Sequence, residues 1–254
     1  MRAHVTTEEP VSLDPVKPLL GHCLSPMAMR FAKEYADFLA RVDFKDMADH
    51  PLEFIRSCEG HCSSDGERHT IWLDTKNEYF EALMMHHALA GVLTERGFPR
   101  TMHAGGLTSD FRVPYLAALL SSAVMDPVID GWLARSGYTV YDRDILTQRA
   151  VEQVWLDTRL KNPKTYGFRF CKWTLVTVLI RLDLTFDGEM VNLLHALIRK
   201  KFPEPWALAE RLSAFILQKG FAQPHSALIA MLQLRAALKL EGKITIVDGE
   251  GTRY

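Results

Sequence analysis

The stretch Thr70–Pro99, TIWLDTKNEYFEALMMHHALAGVLTERGFP, decides how this chain is read. Its first residues, Thr70-Ile71-Trp72-Leu73, are β-branched, aromatic or aliphatic, the composition of a short strand. Thr75 and Glu78 then stand at capping-box spacing, and Gly97 followed by Pro99 marks a stop. Between Tyr79 and Leu93 almost every residue is apolar, which predicts a helix over 78–96 buried on most of its faces. The exceptions are Glu81, His86 and His87. A polar side chain in such a place needs a partner, because leaving it unpaired costs roughly 1–3 kcal/mol.

Upstream, Leu52-Glu53-Phe54-Ile55 is a second β-favouring run, separated from Thr70 by the turn-rich Glu59 to Gly66. The two runs predict a small β-hairpin near 52–74. Ser25-Pro26 supplies an N-cap and an N1 proline, and Met27, Phe31, Tyr35, Phe38, Leu39 and Val42 follow at helical spacing. Residues 1–18 are polar and carry prolines at 10, 15 and 18, the pattern of a flexible arm. Downstream, Thr101 to Asp110 holds Gly105-Gly106 and reads as a connection, and helices are then predicted at 111–125, 127–136, 143–160, 168–183, 188–201, 204–219 and 224–240. Gly242 is expected to close the last of them, and Lys243 to Val247 to form one late strand. The expected fold class is mainly α (α+β): a single globular domain over 19–254, with a possible helical C-terminal subdomain over 188–254.

Composition narrows the function classes. At 48% hydrophobic and 24% charged residues the chain has material for a real core, and its net charge of −1 provides no global field for polyanions. No apolar stretch follows a basic segment at the N-terminus, and the longest apolar runs fall short of the roughly 18 residues that a membrane span requires. A cytoplasmic protein with no membrane association is expected, its four cysteines reduced and Cys23 and Cys171 buried as small hydrophobes.

The two histidines admit two readings: hydrogen-bonded core residues, or metal ligands. In its order of strand, short turn and buried helix, the region from 70 to about 135 resembles zincin-type metallopeptidases, whose active helix carries H-E-x-x-H. Here that motif reads His86-His87-Ala88-Leu89-Ala90. The resemblance puts His86 at the first ligand position, His87 where the general-base glutamate stands, and Ala90 where the second histidine stands. Residues at i and i+4 share a helix face and grip the ion together, whereas His87 points about 100° away from His86. The resemblance therefore implies an eroded site, a pseudoenzyme serving as a binding or regulatory protein. Its enzymatic alternative is a zinc-dependent hydrolase at His86, with Glu81 or His87 as catalytic candidates. Asp126, Asp130 or His103 would then supply further ligands. Asp126 is also placed to cap a helix opening at Pro127.

A second ligand set, Cys58, His61, Cys62 and His69, brings two thiols and two imidazoles into the hairpin, donors that zinc accepts. No E-x-x-H pair, no phosphate-cradling glycine loop and no nucleophile elbow occurs. The C-terminal order of helix, helix and strand resembles a winged helix that would read nucleic acid with His225, Arg235 and Lys239, beside the basic run Arg199-Lys200-Lys201. The stripes Leu193, Leu194, Leu197, Ile198 and Leu208, Leu212, Phe215, Ile216 read as core, or in part as a face for a partner protein. A protein partner, no resident cofactor (zinc the alternative) and no membrane complete the expectation.

Overall fold

Strand β3, His69–Leu73, is the centre of the first sheet, and the residues on either side of it show why the chain folds around it. It pairs in parallel with β1, Val42–Asp46, and antiparallel with β2, Gly60–Ser64, giving the order β1-β3-β2. The computed structural model describes residues 19–51, 56, 60–64, 68–103, 112–138, 166–186 and 188–254. The expected arm at 1–18, strand at 52–55 and helix at 143–160 lie outside them. Among the described residues are eight α-helices and five strands, a mainly α protein of the α+β class as read from the sequence.

The chain divides into two compact units, Met1–Val92 and Leu93–Tyr254. In the first, helices α1 (Pro26–Glu34) and α2 (Ala36–Leu39) precede β1, and α3 (Phe80–Glu95) follows β3. Ser25 caps α1, its hydroxyl accepting the Ala28 amide at 3.3 Å. Phe31, Phe38, Leu39, Ile71, Leu73, Met84, Met85 and Leu89 form the core, and each fully buried side chain of this size contributes about 1.5–3 kcal/mol. The Phe38 ring sits over Gly91, where an added Cβ would come within 2.4 Å of it.

Three expectations need correction here. The residues from 59 to 66 are more than turn, since Gly60–Ser64 is the strand opposite β3. Residues 42–46 leave the helical pattern and form β1. Thr75 does not cap α3: its hydroxyl donates to Asp46, holding that carboxyl below its ordinary range, while α3 opens five residues later at Phe80. The stop at Gly97 is as read. Gly97, at φ 87°, donates to the Thr94 carbonyl at 3.1 Å, and Phe98 donates to that of Leu93 at 3.0 Å, the paired bonds of a Schellman ending.

In the second unit α4 (Arg112–Arg135) packs on α5 (Tyr166–Thr185), α5 on α7 (Pro203–Lys219), and α8 (Pro224–Ala237) on α4, with α6 (Glu189–Lys201) beside α7. The core holds Leu120, Val124, Leu175, Val176, Leu179, Ile216, Met231 and Leu234. Strand β4, Arg100–His103, where a connection was expected, pairs antiparallel with β5, Ile244–Val247. The helices expected at 111–125 and 127–136 are one, running through Pro127. A proline removes one helix hydrogen bond, and burial of Val124, Val128 and Ile129 on both sides keeps the helix together. Residues Val113–Arg135 are long and apolar enough to cross a membrane by length and composition, and 56% of that window is buried inside the fold, as in a core helix. Helix α8 ends at Ala237, and Lys239, not Gly242, takes the left-handed position that closes it, at φ 55°, with Leu240 donating to the Arg235 carbonyl at 3.0 Å.

Candidate functional site

Helix α3 carries the three polar residues that stand out in its apolar sequence, Glu81, His86 and His87, and each has a local position set by its neighbours. His86 and His87 are half-buried, with ring centroids 5.5 Å apart and planes at 77°. This edge-on arrangement follows from adjacent positions on a helix. His87 lies against β2, and a Cβ added at Gly60 would stand 2.2 Å from its Nε2. Gly60 is therefore the space that the imidazole occupies. One turn beyond His86 stands Ala90, whose methyl group offers no lone pair. The donor set on α3 does not fit a zinc ion held from i and i+4. Among the described residues no group of three or more histidine, cysteine, aspartate or glutamate side chains is arranged to hold a metal.

Glu81, the third polar residue of α3, receives two hydrogen bonds from Ser25. The Ser25 amide donates to Oε1 and its hydroxyl to Oε2, each at 2.5 Å. The carboxylate thus fastens the N-terminus of α1 to the first turn of α3. Nearby, His22 donates from Nε2 to the Thr75 carbonyl at 2.7 Å and stacks on Phe80 with centroids 4.1 Å apart. The N-cap serine is visible in the sequence; its acidic partner, 56 positions away, is not.

The hairpin set separates by strand alternation. Cys58 lies outside the described residues. Cys62 is paired with Ile71 and Ser64 with His69, so Cys62 and His69 share one face of the sheet; His61, paired with Trp72, is on the other. On that second face His50 stands edge-on to His61 at 5.1 Å and to Trp72 at 4.7 Å, and Lys45 lies 5.2 Å from the Trp72 ring. Burial and the neighbouring His50 lower the His61 pKa to about 4, while burial pushes the Cys62 thiol up to about 11. His69 is buried against Phe38, with centroids 4.8 Å apart. Cys23, expected inside, is exposed; the Cys171 side chain lies outside the description.

In the second unit Asp126 is a mid-helix residue rather than a cap. It pairs with Arg181 at 3.0 Å and accepts the Ser122 hydroxyl. Asp130 is half-buried one turn on, and His103 ends β4 opposite Ile244. A polar chain that the sequence reading missed links three helices. Trp206 Nε1–H donates to His195 Nδ1 at 3.0 Å, His195 Nε2 lies 2.7 Å from Asp183 Oδ1, and the Ser213 hydroxyl donates to Asp183 Oδ2 at 2.6 Å. The indole donor requires a lone pair on Nδ1. Asp183 stands between serine and histidine, and no nucleophile–base contact forms.

Three cations of the C-terminal region have partners within the fold. Arg235 Nη1 donates to the Ile244 main-chain oxygen at 3.1 Å and to that of Tyr254 at 2.5 Å. Arg199 lies 4.8 Å from the Trp206 ring and Lys201 5.5 Å from that of Phe202. Of the leucine stripe on α6, Leu194 and Ile198 are buried, whereas Leu193 and Leu197 are 54% and 51% exposed. Of the two readings of that stripe, core throughout or core in part, the core holds only for Leu194 and Ile198. No family model, no curated protein and no solved structure matches this chain.

Proposed function

We propose that this chain is a non-catalytic binding or regulatory protein, in which a zincin-like strand and helix serve as scaffold and contact with a partner protein is made from α6. The observation that carries the reading is the ridge on α6, where Leu193 and Leu197 stand one turn apart, each more than half exposed, beside Arg199, Lys200 and Lys201. Large apolar side chains grouped with charge at their border are the surface that partner proteins cover. The α3 chemistry supports the same reading from the other side. Glu81 is taken up by Ser25, the His87 ring rests on Gly60, and position 90 is alanine.

Elemental analysis of the purified chain after equilibration with zinc and dialysis tests the reading. The expected result is a metal content well below one per chain. About one zinc per chain, lost in His86→Ala, would restore the hydrolase alternative. For a nucleic-acid role Arg235 would have to leave the two main-chain oxygens that it now bridges.

A further inference from the structure

Helix α6 has its one acid, Glu189, at the start and its three cations, Arg199, Lys200 and Lys201, at the end, with Leu193 and Leu197 exposed between them. The midpoint of the two leucines is position 195. A two-fold axis passing there brings a second α6 alongside in the antiparallel sense and sets residue i beside residue 390 − i. Leu193 of one copy then covers Leu197 of the other, and Glu189 comes beside Lys200 and Lys201 at both ends. A parallel arrangement would set acid on acid and cation on cation. Spacings of four, three and four from Glu189 through Leu193 and Ala196 to Lys200 keep these residues on one stripe, the seam that two antiparallel helices share.

We infer that the occupant of the α6 ridge is a second copy of this chain, joined antiparallel about the 193/197 pair. The inference rests on the binding reading above and names its partner. Such a contact is isologous, so each favourable pair occurs twice. Because one helix face of this length covers less surface than a permanent interface, the dimer is a weak one, dissociating in the micromolar range or above.

Sedimentation equilibrium on the full chain from about 10 μM to 1 mM tests it, a range set by the affinity of small interfaces. The expected result is a monomer–dimer equilibrium that Leu193→Glu with Leu197→Glu weakens by at least about tenfold, with an unchanged circular dichroism spectrum because both positions are exposed. Glu189→Lys should weaken it as well, and adding Lys200→Glu and Lys201→Glu should restore it, an outcome that general damage to the fold would not give. A chain that stays monomeric to 1 mM, or a dimer indifferent to the leucine pair, overturns the inference. So does a monomer that instead co-sediments with phosphatidylserine vesicles through the same leucines, which would make a lipid surface the occupant. Zinc content reads the underlying binding proposal independently. A monomer without zinc removes only the second copy, whereas stoichiometric zinc removes the proposal beneath it.

Discussion

At position 60 any side chain would collide with the His87 ring, since a Cβ there would lie 2.2 Å from Nε2. Gly60→Ala is therefore expected to destabilise the fold by about 1–3 kcal/mol, the usual cost of overpacking. In a His87→Ala background most of that cost should vanish, as a double-mutant cycle by urea denaturation would show. His61 gives a pH dependence of definite sign. Burial and His50 lower its folded pKa to about 4 from an ordinary 6.5, so folding favours the neutral ring. Its contribution is fully present above pH 6.5, declines as pH falls from 6.5 to about 4, and loses up to roughly 3 kcal/mol over that window. Below pH 4 both states are protonated and the loss levels off. Denaturation curves between pH 7.5 and 4 should flatten in His61→Gln; an unchanged slope would assign the dependence to other groups. At this scale the sequence showed which residues were unusual and not what they touch. Glu81 and Ser25 are 56 positions apart, and nothing local in either segment names the other.

Helix ends and strand edges show where local patterns suffice. The stop at Gly97 was legible because a single glycine supplies both the left-handed conformation and the break in the apolar run. The end of α8 was not, because the left-handed position there is held by Lys239 at φ 55°. Lys239→Gly should raise stability by about 1 kcal/mol by removing that backbone strain, measured as a higher melting temperature with no other change. Strand β1 was hidden by phase: Val42 continues the helical spacing of Phe38 and Leu39, and only the alternation Val42-Asp43-Phe44-Lys45-Asp46 reveals a period of two. Strand β2 has few β-favouring residues in Gly60-His61-Cys62-Ser63-Ser64; the ladder offered by β3 forms it. Strand β4 finds its partner in β5, some 140 positions later, at a separation that no window of sequence spans.

For the molecule as a whole, the predominance of helices followed from apolar periodicity, which each helical segment carries by itself, whereas the make-up of the two small sheets did not. The division at Val92 and Leu93 falls inside α3, where the sequence shows only an unbroken apolar run. The exposed ridge on α6 was concealed for a related reason, since Leu193 and Leu194 are equally apolar and only the packed helices decide which of them is covered. What unites the functional reading is that the polar residues of α3 hold elements together: Glu81 fastens α1, and His87 seats β2. The most direct test of that assignment is the zinc stoichiometry of the purified full chain, alone and as His86→Ala, after equilibration with excess zinc and dialysis. Both proteins should retain far less than one zinc per chain and melt at similar temperatures with and without the metal. One tightly held zinc in the unaltered chain, absent from the variant, would contradict it.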